Sequence, residues 1–184
     1  LKKHSRLPSC VYLDEDGGYV ASDVLPRSAL LGEIPSPYLN GYMDPFFDDK
    51  LQPLIETNRG CPFTCNFCQQ GTSYFTKVRN FDVERVKEEF TYIARKLRAD
   101  SPHVRALTIA DPNFGMYERD VEIAEHIGKI QEEHGWPTYV DASTGKNVPR
   151  RVVKAIDLMH GGLRISSAVQ SMDADVLKNI KRSN

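Results

Sequence analysis

Three of the four cysteines of this 184-residue chain fall within eight residues, in the run Cys61-Pro-Phe-Thr-Cys65-Asn-Phe-Cys68. Thiolates are soft ligands, and three so close together point to a metal centre rather than to a secreted disulfide framework. Most four-iron clusters are held by four thiolates, so a set of three points to a cluster with one iron open to another ligand. Two other readings compete. Spacings of four and three would also align the cysteines on one helix face as plain core residues. Pro62 directly after the first cysteine, with Gly60 and Gly71 bracketing the segment, favours a loop instead. Structural zinc is the stronger rival. It takes four ligands, often in C-x2-C pairs, and the fourth would have to come from Cys10 or a histidine distant in sequence. The five histidines are scattered and lack ligand spacing. Cys10 reads as a structural or exposed thiol.

The elements around the cluster alternate. Leu54 to Thr57 reads as a first strand that runs straight into Arg59-Gly60 and the cysteines. Asp82 can cap a helix whose stripe is Val83, Val86, Phe90, Ile93 and Leu97, with Phe81 stapling to Val86. Val104 to Ala110 is a second strand, continuous in apolar character as buried parallel strands are. A helix follows through Val121, Ala124, Ile127 and Ile130, ending at Gly135. Pro137 to Ala142 makes a third strand, and Pro149 opens a third helix stopped by Gly161-Gly162. Leu163 to Val169 reads as a fourth strand, followed by a helix capped by Asp173. Such βα repetition implies a parallel α/β sheet with helical crossovers. Four units alone would leave an open edge, so the fold class expected is a partial (βα) barrel over residues 51–184. Residues 1–50 are punctuated by prolines and glycines and read as a linker or N-terminal extension. A small hairpin fits Val11-Tyr12-Leu13 and Tyr19-Val20.

Ligands of parallel α/β folds bind at the carboxyl ends of the strands. The expected strand ends carry the three cysteines, then Asp111-Pro112-Asn113-Phe114-Gly115, then Ser143-Thr144-Gly145-Lys146-Asn147, then Gln170-Ser171. Asp111-Pro112-Asn113 is also ordinary turn chemistry. Gly145-Lys146 lacks the glycine and hydroxyl residues of a phosphate-binding loop.

Composition narrows the partners. A formal charge of −1 leaves no electrostatic footprint for nucleic acid. No apolar run approaches the ~20 residues of a membrane helix, and no signal-peptide pattern opens the chain. Clustered free thiols suggest a reducing, hence cytoplasmic, compartment. A start at Leu1 and a stop at Asn184 after a helical pattern read as an excerpt of a longer protein.

The motif Cys61-x-x-x-Cys65-x-Phe67-Cys68, placed after a first strand in a βα series, resembles the radical S-adenosylmethionine (SAM) superfamily. The strings IPSPYLNGYMDPFF, IETNRGCPFTCNFC, ADPNFG, STGKN and VQSMDADVLKNIKR resemble its subgroup with an upstream cobalamin-binding domain. The resemblance implies that Cys61, Cys65 and Cys68 ligate a [4Fe–4S] cluster whose open iron binds the amino and carboxylate groups of SAM. It implies Phe67 near the adenine, and Ser143, Lys146 and Gln170 at the carboxylate or ribose. It places Asp111 to Asn113 where relatives carry a Gly-Gly-Glu motif that receives the methionyl amine; which group makes that contact stays open. It further implies a small-molecule substrate and a reducing protein such as flavodoxin or ferredoxin. For the full-length protein it leaves open cobalamin-dependent methyl transfer, the commoner reaction of such relatives, and ring formation or rearrangement, which others perform. The competing class is a non-catalytic iron–sulfur or zinc module for electron transfer or structure.

Overall fold

A computed structural model describes residues 8–28, 30–166 and 168–182. At its centre is a three-stranded parallel sheet in the order β3-β6-β7, from Leu54–Ile55 (β3), Ala106–Phe114 (β6) and Tyr139–Thr144 (β7). Leu54 pairs with Thr108 and Ile55 with Ile109, while Ala106 to Ile109 pair with Tyr139 to Ala142. Among the described residues, two antiparallel pairs stand outside this sheet. One is the expected hairpin of β1 (Val11–Leu13) and β2 (Tyr19–Ala21), and the other joins β4 (Asn58–Arg59) to β5 (Arg79–Asn80).

Three helices cover the sheet: α1 (Val83–Asp100), α2 (Glu118–His134) and α3 (Pro149–Leu158). Asp82 caps α1 by accepting from Arg85 N at 3.1 Å. Of the expected stripe, Val86, Phe90, Ile93 and Leu97 are buried and Val83 is partly buried, against Leu107, Ile109, Ile123, Ile127 and Val140 of one core. The segment before residue 51 joins that core through Leu31 and Tyr38. Asp44 accepts from Lys96 Nζ of α1 at 2.6 Å, which ties the proline-rich stretch to the helix.

The structure alters two expected elements. The stretch Asp111-Pro112-Asn113, expected to follow the second strand, lies inside β6. Ile109 pairs with Ala142 and Phe114 with Thr144, so residues 110–113 stand opposite Ser143 alone. Pro112 has no N–H to give a ladder, and the strand accommodates it as a bulge that re-aims its neighbours. The strand expected over Leu163 to Val169 is reduced, among the described residues, to a parallel bridge between Leu163 and Val140. Beyond it the Thr144 hydroxyl takes the place of a ladder, donating to Ser166 O at 2.9 Å and accepting from Ser166 N at 3.2 Å. Ser167, within that expected strand, lies outside the described residues. A short helix α4 (Ala174–Asn179) follows, capped by Asp173.

Candidate active site

The cysteine loop leaves β4 through Gly60, whose φ of 107° lies in the region that side chains avoid. A Cβ there would come within 2.7 Å of both Phe75 O and Lys77 O. The close approach lets Cys61 N donate to Phe75 O at 3.0 Å, fixing the start of the loop. Further on, Cys68 N donates to Cys65 O at 3.1 Å and Gly71 N to Cys68 O at 2.9 Å. Asn66 fastens the middle of the loop to the end of α4, donating from its backbone N to Ile180 O and from Nδ2 to Asn179 O.

A cavity of ≈ 550 Å³ opens between this loop and the carboxyl ends of the sheet. Every site residue expected from the sequence lines it: Cys61, Cys65, Cys68, Phe67, Asp111, Asn113, Ser143, Lys146 and Gln170. Cys65 is buried, Cys61 half-buried and Cys68 exposed. Phe67 is 52% exposed and lines the cavity.

The structure adds residues that the sequence reading left without a role. Asp111 is 1% exposed, and its carboxylate turns toward the strand that precedes the cysteines. Oδ1 accepts from Thr57 N at 2.7 Å and Asn58 N at 3.3 Å. Oδ2 accepts from the Thr57 hydroxyl and, at 2.7 Å, from Asn58 Nδ2. Burial pushes this carboxyl above its ordinary range, partly offset by those hydrogen bonds and by the Arg119 charge. Arg119 completes the knot, donating to Thr57 O at 3.2 Å, Thr57 Oγ1 at 3.1 Å and Phe81 O at 2.7 Å. Thr57 and Asn58 stand in the string quoted for the resemblance. Their bond to a residue more than fifty positions away leaves no local signature.

Asn113, 4% exposed, points the other way from the same bulge, and its Nδ2 donates to Cys61 Sγ at 3.3 Å. Arg182 Nη1 approaches Cys65 Sγ at 3.9 Å, and Nη2 donates to Ala168 O at 2.6 Å. Burial lowers the Lys146 pKa, and the Arg182 charge adds to that, while the three cysteines pull it back up. An ammonium there gains from any anion that enters the cavity.

Behind the site, Asp120 is wholly buried at the start of α2, accepting from Tyr117 N at 3.0 Å. Its other oxygen has no hydrogen-bond partner among the described residues. Burial, helped by the Asp111 charge, raises its pKa to about 6. The folded state therefore binds this proton more tightly than the unfolded chain. The group's stabilisation is present below its unfolded pKa near 3.8 and is lost as pH rises through about 6. Raising pH from 5 to 7 should cost on the order of 1 kcal/mol through Asp120. Urea unfolding at both values should show Asp120→Asn less sensitive to pH than wild type; an equal slope would contradict the assignment.

The donor set, three thiolates bordering one cavity, fits an iron–sulfur cluster. Among the described residues no three of His, Cys, Asp and Glu surround a point that could hold one ion. Cluster thiolates each take a different iron and need not converge. The three cysteines instead border one cavity with room for a further ligand. Among the described residues no helix is long and apolar enough to cross a membrane.

Comparison with known proteins agrees. The chain is 36% identical over 169 residues to the cobalamin-dependent radical SAM methyltransferase TokK of Streptomyces tokunonensis, covering 87% of this chain and 24% of that protein. It is equally similar, over the same shares, to 2-(S-pantetheinyl)-carbapenam-3-carboxylate methyltransferase of Streptantibioticus cattleyicolor. The chain thus spans about a quarter of the length of these curated relatives. The fold matches the cobalamin-dependent SAM radical enzyme OxsB, solved with aqua-cobalamin and SAM bound, with a TM-score of 0.58 at 18% identity over 95% of this chain and 26% of that one. The radical SAM superfamily profile covers residues 55–184, the stretch that builds the cavity and its cysteine loop. The family's cofactors are a [4Fe–4S] cluster and SAM, and by profile and relatives this chain belongs to the radical SAM superfamily.

Proposed function

We propose that this chain binds and activates SAM in a cobalamin-dependent methyltransferase that acts on a small molecule. The observation that carries the proposal is one cavity bordered by Cys61, Cys65, Cys68 and the polar ends of β6 and β7. A [4Fe–4S] cluster with SAM supplies, when bound, one-electron cleavage of the sulfonium to methionine and a 5′-deoxyadenosyl radical that takes a substrate hydrogen. The three cysteines hold the cluster. Phe67 offers the adenine a ring face. Ser143, Gln170 and Asn113 supply neutral donors and acceptors along the rest of the nucleoside and methionine. Lys146 supplies the positive charge for the methionyl carboxylate. Asp111 spends its carboxylate on Thr57 and Asn58, so at that position the cofactor meets the backbone of the bulge. The relatives' names favour methyl transfer with cobalamin, and a flavodoxin or ferredoxin would deliver the electron.

Anaerobic reconstitution of the full-length protein should give about four irons and four sulfides per chain. Replacing all three cysteines with alanine should abolish them. A preparation that takes up zinc alone would contradict the proposal. Lys146→Met should leave the iron content unchanged and weaken SAM binding by roughly tenfold to a hundredfold, the worth of a hydrogen bond to a charged group. Calorimetric titration of SAM into the reconstituted variant checks this, and unchanged affinity would remove Lys146 from the site.

A further inference from the structure

We propose, resting on the cluster-binding role of Cys61, that Asn113 is a positioning residue that sets the reduction potential of the cluster through the first cysteine. Three observations carry it. The Nδ2–Sγ distance of 3.3 Å is a hydrogen bond to sulfur, and Asn113 is 4% exposed, so water competes poorly for the donor. The side chain is aimed by the bulge, where residues 110–113 face one residue of β7; Met116 N closes the far side of the turn on Asn113 O at 3.2 Å. The bulge is pinned at Asp111 by Thr57 and Asn58, immediately before the cysteine loop. Donor and sulfur are therefore held from both ends of the same knot.

A hydrogen bond to a ligand thiolate draws negative charge from it and favours the reduced, more negative cluster. The three cysteines are not equivalent in this respect. Cys61 has a buried amide at bonding distance, Cys65 has a guanidinium at 3.9 Å, and Cys68 is exposed. The amide also has a second N–H and an oxygen, so contact with Cys61 leaves it able to touch SAM.

The test is an EPR-monitored redox titration of the full-length protein, reconstituted anaerobically and without SAM. Asn113→Leu removes the donor without adding charge and is the deciding variant; Asn113→Asp keeps the shape and removes the donor but adds a negative charge that lowers the potential by itself. Both should hold the same iron per chain as wild type and show a lower midpoint potential. The expected shift is about tenfold in the reduction equilibrium, ~59 mV for one electron. Full cluster content with an unchanged potential in Asn113→Leu would overturn the inference. Should the variants lose iron, wild-type protein carrying ¹⁵N only in asparagine side-chain amides decides the matter. Pulsed EPR of its reduced cluster should show a ¹⁵N coupling, and none would overturn the inference. Failure of the wild type itself to assemble a four-iron cluster would instead sink the functional proposal beneath it.

Discussion

Alanine at Gly71 is expected to abolish cluster assembly while leaving the helical core folded. The position is not strained in φ; it is crowded. A Cβ on Gly71 would fall on the carbonyl oxygen of Cys65 and 3.0 Å from its carbon. The same carbonyl accepts from Cys68 N, and Gly71 N donates to Cys68 O, so no flexible side chain is available to give way. The turn must open, carrying Cys65 and Cys68 apart. The buried stripe of α1 and the sheet lie outside the clash, so far-ultraviolet circular dichroism should stay near wild type. Iron per chain should fall from about four to below one. Wild-type iron content in Gly71→Ala would show that the tight turn is not required.

Asp111→Ala is expected to cost about 3–5 kcal/mol of stability, the range for breaking a buried charged network by removing one partner. Thr57 N, Asn58 N and Asn58 Nδ2 would lose their acceptor, and Thr57 and Asn58 are all but fully buried. Arg119 would also lose a neighbouring negative charge. Asp111→Asn keeps one acceptor oxygen and should lose less than half as much. Urea unfolding of the two variants against wild type measures this. A loss within about 0.5 kcal/mol for the alanine variant, ordinary for a surface position, would contradict the role of Asp111 as an internal strut.

These two residues mark the boundary of what could be read from sequence. The cysteine spacing, the glycines around it and the apolar stripe of α1 are local signals, and they located the loop and its supporting helix. Polar residues at the ends of the strands located the cavity, since successive parallel strands bring those ends to one edge. Pro112 misled because its turn chemistry is real, but it serves a bulge within β6 rather than the end of the strand. Leu163 to Val169 has the composition of a strand, yet past the bridge at Leu163 the Thr144 side chain, rather than a ladder, holds Ser166. The contacts hidden from the sequence are long-range ones. Asp111 meets Thr57 across 54 positions, and Asn66 meets Asn179 across 113. Neither pairing has a periodicity to betray it.

The central claim is that the cysteine loop and the cavity beside it form a site for SAM activation. The direct measurement is 5′-deoxyadenosine released from SAM by the full-length, anaerobically reconstituted protein under dithionite. The expected result is 5′-deoxyadenosine formed by the wild type and none above background when Cys61, Cys65 and Cys68 are alanine. A wild type that holds a complete four-iron cluster, binds SAM and still releases no 5′-deoxyadenosine with dithionite and substrate present would contradict it.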